Sequence, residues 1–277
     1  MSYELFISLR HLKAKRTQKF ISLNTWISVG GVALGVMALI IVIAVMSGFG
    51  RDLRDKILGT NSHVVVSNVT KTNMDDYEAI IKEIMQTEGV NAAAPFILSQ
   101  VMLTYGNNSK GVVVRGVDPD REAGVSDLEK NMVQGSLKML EDPEKSLGQK
   151  HRAGIILGSE LAHRLNVERD DVVSMISPAS RVTPMGMLPK IKLFQVVGFF
   201  ESGMFEYDSN LAFISIHAAQ KFFSMKGKVS GIEIQVREIE KADQVAKEIQ
   251  NSLGFPYHAR DWMRMNKNLF SALRLEK

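Results

Sequence analysis

The sequence predicts an α+β protein carried on one N-terminal transmembrane helix, and three observations predict it. Residues Phe20 to Gly50 contain no Asp, Glu, Lys, Arg or His. Two strand-helix-strand patterns stand far apart in the rest of the chain, at His63 to Leu98 and at Gly231 to Pro256. Between them strand signals outnumber helical ones. The expected architecture is a split α+β domain of ferredoxin type with an inserted β-rich subdomain, following one membrane span. The divisions are 1–19, a basic interfacial segment; 20–48, the span; 49–118 with 228–262, the α+β part; 119–227, the insertion; and 263–277, the start of a further helix.

The span comes first because it sets the class. A membrane-crossing helix needs about 20 apolar residues, and Leu34, Leu39, Ile40, Ile41, Val42, Ile43 and Val45 together favour insertion by roughly 2–4 kcal/mol. A cleaved signal peptide would have an apolar core of about 7–15 residues and a small-x-small end, which the run around Ala44-Val-Met46 matches poorly. Ahead of the span, Arg10, Lys13, Lys15, Arg16 and Lys19 face the single acid Glu4. Positive charge holds its flank in the cytoplasm, so the bulk of the chain is expected outside. Tyr3, Phe6, Leu9 and Leu12 recur at helical spacing. Two readings stand for them, a helix at headgroup level and a charged tail that only orients the span.

After the span, His63 to Ser67 reads as a strand and Tyr77, Ile80, Ile81, Ile84 and Met85 as one helix face, ended by Gly89. Gly231 to Val236 alternates as a half-buried strand, and Ala242, Val245, Ala246, Ile249 and Leu253 form a helix stripe stopped by Gly254 and Pro256. The insertion carries strand signals at Gly154–Leu157, Val172–Ile176, Ile191–Phe200 and Leu211–Ile214. Only Ser159–Leu165 and Ile216–Phe223 read as helical, and 131–152 reads as a mobile stretch. The last helix, with Trp262, Met265, Leu269 and Leu273 on one face, has no stop signal before Lys277 and reads as continuing.

Composition excludes several functions. The net charge of +4 sits largely before the span, so nucleic acid is not an expected partner. No cysteine is present, which removes disulfides and thiol chemistry. The chain has no G-x-x-x-x-G-K-[ST] loop, no H-E-x-x-H and no G-x-S-x-G. His11, His63, His151, His163, His217 and His258 never pair at metal-ligand spacing. Glu201, Glu206 and Asp208 cluster without a partner base and read as capping or solvation. No enzyme, cofactor or metal site is expected.

Two motifs remain. Gly31 and Gly35 lie one turn apart in the span, with Gly30 beside them, and would let another helix approach closely; such spacing also arises by chance. The segment 181–190 sets Pro184, Gly186 and Pro189, which demand a turn, among apolar Met185, Met187 and Leu188, with Arg181, Lys190 and Lys192 at the base. An exposed Met-rich tip suits an adaptable protein-binding surface, whereas a hairpin folding its tip back onto the domain suits the composition equally.

Several runs resemble a known family along essentially the whole chain: Phe20-Ile-Ser-Leu, Ile27 through Met37, Val45-Met-Ser-Gly-Phe49, Gly116-Val-Asp-Pro119, Gly154 through Ala162, and Gly203 through Phe213. They are similar to the LolC/LolE lipoprotein-releasing permeases, within a wider group that includes MacB and FtsX. The resemblance implies a non-catalytic permease of the bacterial inner membrane, with its main domain periplasmic. It also implies a LolD-type ATPase, a second LolC/LolE-type permease, a LolA-type periplasmic chaperone, lipoprotein substrates and membrane lipid as partners. Under it, Arg181, Thr183, Pro184, Met185, Gly186, Met187, Leu188 and Pro189 correspond to a chaperone-binding hook, and the chain is expected not to transport by itself. The rival is a MacB- or FtsX-like permease that transmits force to another periplasmic partner.

Overall fold

The structure is a computed structural model that describes residues 3–4, 6–7, 10, 19–60, 62–141, 152–183 and 186–267, with backbone alone for 19–22, 49–60 and 178–188. It divides into two units, 1–54 and 55–277.

In the first unit the helix α1 (Lys19–Thr60) contains a stretch, Leu23–Gly48, long and apolar enough to cross a membrane. Trp26, Leu34, Ile40 and Val45 are all exposed. A helix that is apolar on every side gains nothing from water and belongs in lipid or a large core. Tyr3, Glu4, Phe6, Ile7 and Arg10 are helical, and the rest of the basic segment lies outside the described residues.

The second unit is α+β. In chain order it comprises β1 (Val64–Asn68), α2 (Tyr77–Ile84), β2 (Val90–Tyr105), β3 (Asn108–Val117), α3 (Pro119–Val125), β4 (Met132–Gln134), β5 (Ala153–Gly158), α4 (Ser159–Leu165), β6 (Val172–Thr183), β7 (Gly186–Phe200), α5 (Phe205–Asn210), β8 (Leu211–Ser215), α6 (Ile216–Phe223), β9 (Gly231–Val236), α7 (Ala242–Leu253), β10 (Tyr257–Asp261) and α8 (Trp262–Met265). The strands run β10-β1-β9-β2-β3-β8-β5-β7-β4, and β6 bridges β7 and β2. The pairs among β10, β1, β9 and the first half of β2 are antiparallel. Beyond them the sheet is mixed, with β3/β8 and β5/β7 parallel.

β2 is the long member, and its two halves have different neighbours on one edge. Val90–Phe96 pairs with β9, while Met102–Thr104 pairs with β6. Its other edge pairs with β3 from Phe96 to Tyr105. The strands β2-β3-β8-β5-β7-β6 therefore close into a six-membered ring. Ring closure removes exposed strand edges.

Alternation along the strands separates two cores. Leu103, Val114, Ile155, Leu157, Val173, Phe194, Val196 and Ile214 join the larger cluster, with Leu161 of α4 and Phe222 of α6 packed into it. Ile156, Val197, Phe200, Leu211 and Phe213, on the other face, join a smaller cluster closed by Leu128, Leu137 and Leu140. Burying each such side chain contributes about 1.5–3 kcal/mol.

The helix ends follow local chemistry. Ser215 caps α6 by accepting from the Ala218 amide at 3.2 Å. Asp118 caps α3, where Pro119 occupies the first turn. Gly254 ends α7 at a φ of 60°, a conformation that only glycine adopts without cost. Asp261 caps α8 by accepting from the Met263 and Arg264 amides at 3.0 Å each.

Several expectations need correction. The stretch 131–152 is not mobile over its first part: β4 pairs with β7, and Leu137 and Leu140 are buried. These leucines sit in a single 3-10 turn, too short for a helical period to show. The helices α3 and α5 were not anticipated, because each is under two turns and polar. The strand β3 was also missed, and the insertion does not form a separate sheet, since β2 and β3 supply two of the ring's six strands. Of the final predicted helix, Trp262–Met265 is helical, and 268–277 lie outside the described residues.

The first and last strands of the second unit are neighbours. Val64 pairs with Asp261 across β1 and β10, and the Trp262 amide donates to the His63 carbonyl at 2.9 Å. Elsewhere the packing leaves no room for a side chain: a Cβ at Gly158, between β5 and α4, would collide with the Asp208 carbonyl of α5. Gly158→Ala is expected to lower stability by about 1–3 kcal/mol, read as a reduced Tm of the full chain; an unchanged Tm would show that α5 can retreat.

Candidate functional site: the hairpin of β6 and β7

The segment singled out by sequence is the far end of a β-hairpin. The register runs from Val172 opposite Gln195 to Ser177 opposite Lys190, slips, and resumes with Arg181 opposite Leu188, Val182 opposite Met187 and Thr183 opposite Gly186. The slip leaves Pro178-Ala-Ser180 facing Pro189. Proline cannot donate to the ladder and is tolerated at such irregularities, and a bulge bends the strand that carries it. The slip lies between the ring-paired part of the hairpin and its end. The hairpin's two turn residues, Pro184 and Met185, lie outside the described residues, and for Arg181, Thr183, Gly186, Met187 and Leu188 the structure describes backbone alone. Pro189 is exposed.

The base of the hairpin is fastened to α6. The Lys190 ammonium donates to the Phe222 carbonyl at 2.6 Å and to the Ser224 hydroxyl at 2.7 Å. A cation at the open carbonyls of a helix C-terminus is favourable in charge as well as in hydrogen bonding. Sequence reading placed Lys190 among loose cations at the loop's foot; its partners are 32 and 34 residues away, and no local pattern encodes that contact. Lys192, two residues further, lies with its ammonium 4.9 Å from the Phe194 ring centroid. Burial lowers the Lys192 pKa, and the Lys221 cation lowers it further.

Two clefts flank this base. One, of about 550 Å³, is lined by Val101, Met102, Val112, Ile176, Ser177 and Pro189 among others and is largely apolar. The other, of about 590 Å³, gathers Arg152, Lys192, His217 and Lys221. Ile191 and Leu193 stand exposed on β7 between tip and ring. Apolar residues and cations therefore alternate along the root of the hairpin.

The remaining expected features divide. A Cβ at Gly30, Gly31 or Gly35 would meet nothing within 4 Å, so the small face of α1 has no neighbour among the described residues. Asp208, of the acidic cluster, is buried and accepts from the Ser202 amide at 2.8 Å and from its hydroxyl at 2.7 Å, which organises a turn. Among the described residues, neither Glu201 nor Glu206 forms a hydrogen bond or ion pair with it through its side chain.

Residues 25–252 match the family described as MacB-like periplasmic core domain. The chain is 36% identical over 271 residues to the lipoprotein-releasing system transmembrane protein LolC of Xylella fastidiosa, covering 98% of this chain and 63% of that protein. It is 32% identical over 277 residues to LolC of Neisseria meningitidis serogroup B, covering 100% and 65% respectively. To LolE of Haemophilus influenzae it is 23% identical over 268 residues, covering 95% and 62%. The chain thus spans less than two thirds of the length of these curated relatives.

Replacing the fastening lysine tests how the hairpin is held. Lys190→Met keeps the apolar stem and removes the charged donor, and is expected to cost about 1–2 kcal/mol of stability and to speed amide exchange at the root of β7. Exchange unchanged from the parent chain would show that strand pairing alone fixes the hairpin.

Proposed function

From the premise that the chain belongs to the MacB-like periplasmic core domain family, we propose that it provides the first span and periplasmic domain of a LolC-type permease in a lipoprotein-releasing ABC transporter. The observation that carries this reading is the identity of 32–36% to LolC proteins over nearly the whole chain. In this reading the N-terminus is cytoplasmic, as the basic flank requires, and the β-sheet unit is periplasmic. The antiparallel order β10-β1-β9-β2 with α2 and α7 is read as the split ferredoxin-type part, and 119–227 as the bulk of the insertion.

The mechanism follows from what the chain contains. Each acyl CH₂ withdrawn from a bilayer costs about 0.8 kcal/mol, so a lipoprotein's chains together need tens of kcal/mol. The sequence holds no phosphate-binding loop, so a LolD-type ATPase is proposed to supply that work, with a second permease of LolC or LolE type beside this one. The share of this chain is transmission. Its first and last strands, β1 and β10, are paired, and the His63–Trp262 bond holds the two together. Movement of either displaces a sheet edge that is hydrogen-bonded without interruption to the ring and hence to the hairpin. Gly30, Gly31 and Gly35 are proposed to pack α1 against another membrane helix.

Segment 181–189, with its methionines and leucine, is proposed as the hook that engages a LolA-type chaperone. Apolar anchors at a protruding tip can carry most of an interface's energy. The full chain in detergent is expected to bind the periplasmic lipoprotein chaperone, and replacing Pro184, Met185 and Met187 by Gly or Ser should weaken binding by roughly tenfold or more without altering Tm. Equal binding by both folded proteins would remove the hook from this reading.

A further inference from the structure

A buried group of charges sits where the two halves of the sheet meet. Arg115 of β3 and Glu233 of β9 form an ion pair across β2, and both are almost wholly buried. Arg115 lies opposite Leu98 of β2 and Phe213 of β8. Glu233 lies opposite Ala94 of β2 and Val65 of β1. The pair therefore spans the point at which β2 passes from the antiparallel half into the ring. The Arg115 guanidinium carbon is 5.6 Å from the Phe213 ring centroid and 5.9 Å from that of Phe96.

A third charged group joins them. Glu122 of α3 is fully buried. One carboxyl oxygen, Oε1, accepts from the Ser126 hydroxyl at 2.7 Å. The other, Oε2, has no hydrogen-bond partner, and neither has Nε of Arg115. Two carboxylates and one guanidinium in an enclosed space leave one negative charge uncompensated. An unpaired buried charge is far costlier than a neutral polar group, so the least costly state is one with a proton on Oε2, the oxygen that no donor reaches.

We propose that Glu122 keeps a proton up to the neutral range and that this proton makes the joint between the ring and the β10-β1-β9 half a pH-sensitive element, firm when neutral and loosened when charged. Burial pushes the Glu122 carboxyl up to about 7. The Arg115 cation opposes that shift, the Glu233 charge adds to it, the Ser126 hydrogen bond opposes it and the Asp118 charge adds to it. Tyr207 of α5 is the remaining titratable group that acts on Arg115. A carboxyl held neutral at working pH by an apolar site is an established way to keep a proton in place.

The sign of the linkage follows. Since the folded-state pKa lies above the ordinary value of 4.5, the contribution to stability is complete below about pH 4.5 and is lost as pH rises through about 7. His63 acts on the other side. Burial lowers its pKa, and Nδ1 accepts the Val236 amide at 3.2 Å, so its contribution is lost as pH falls. The difference between the parent chain and a Glu122 variant isolates the proposed group.

The test uses the full chain in detergent micelles. Thermal unfolding, followed by near-ultraviolet circular dichroism from pH 5.5 to 8.5, is compared with that of Glu122→Gln, an uncharged isostere. The folding equilibrium of the parent is expected to weaken by up to about tenfold per pH unit relative to the variant until pH passes 7, and the variant should be the more stable at pH 8. Parallel pH profiles would overturn the proposal. If Glu122→Gln does not fold, infrared difference spectra of the parent labelled with carbon-13 glutamate decide instead. A protonated-carboxyl band that disappears with a midpoint near 7 supports the assignment, and no such band at pH 6 rejects it.

Discussion

The structure depends on one strand serving two sheets. The 16 residues of β2 give their first half to an antiparallel set with β9, β1 and β10, and their second half to a closed ring. Among the described residues, no other strand pairs with both halves. A strand rises about 3.4 Å per residue, so β2 crosses the whole unit, and every other strand takes its position from it. Because side chains alternate strictly along a strand, a one-residue slip of β2 would turn Val101 and Leu103 out of the core and Met102 into it. The register is therefore fixed by burial at both ends at once, and neither half can shift without the other.

The same constraint explains where the buried charges are. Beyond Phe96 the strand changes neighbours on one edge. The short α3 brings Glu122 against Arg115 and Glu233. An ion pair between two strands that do not touch, separated by β2, tolerates a change of twist that close-packed aliphatic side chains would resist. Its geometry specifies the angle between the halves more than it adds stability, since burial of the ions costs about as much as their attraction returns.

Much of this was legible in the sequence where periodicity was long or chemistry local. Residues 20–50 declare α1 by composition alone. α4 and α6 have the bounds their stripes and caps indicate, and so does β9. The hairpin's location followed from Pro184, Gly186 and Pro189. What sequence could not supply was anything set by contacts distant along the chain. Val112-Val-Val-Arg-Gly-Val117 has the β-branched content of a strand, yet Arg115 and Gly116 interrupt the alternation. Only the structure shows why: Arg115 pairs with Glu233, 118 residues away, and Gly116 makes room for α6. Lys190 is a comparable case, since its partners at the end of α6 belong to a different element.

Placed in the proposed role, these features give the hairpin a stiff mounting with one compliant joint. The ladder from β1 and β10 through β9 to β2 transmits displacement because hydrogen-bonded strands do not slide without breaking several bonds together. At β2 the displacement passes the Arg115–Glu233–Glu122 group, where the coupling rests on buried charge instead of aliphatic packing. Beyond it the ring is closed and cannot open at an edge, so motion arrives at β6 and β7 together. Lys190 then ties the root of the hairpin to α6, which fixes the tip's direction while the slip at Pro178 and Pro189 lies between root and tip. A binding element that must meet a partner while its base follows a membrane segment needs this division.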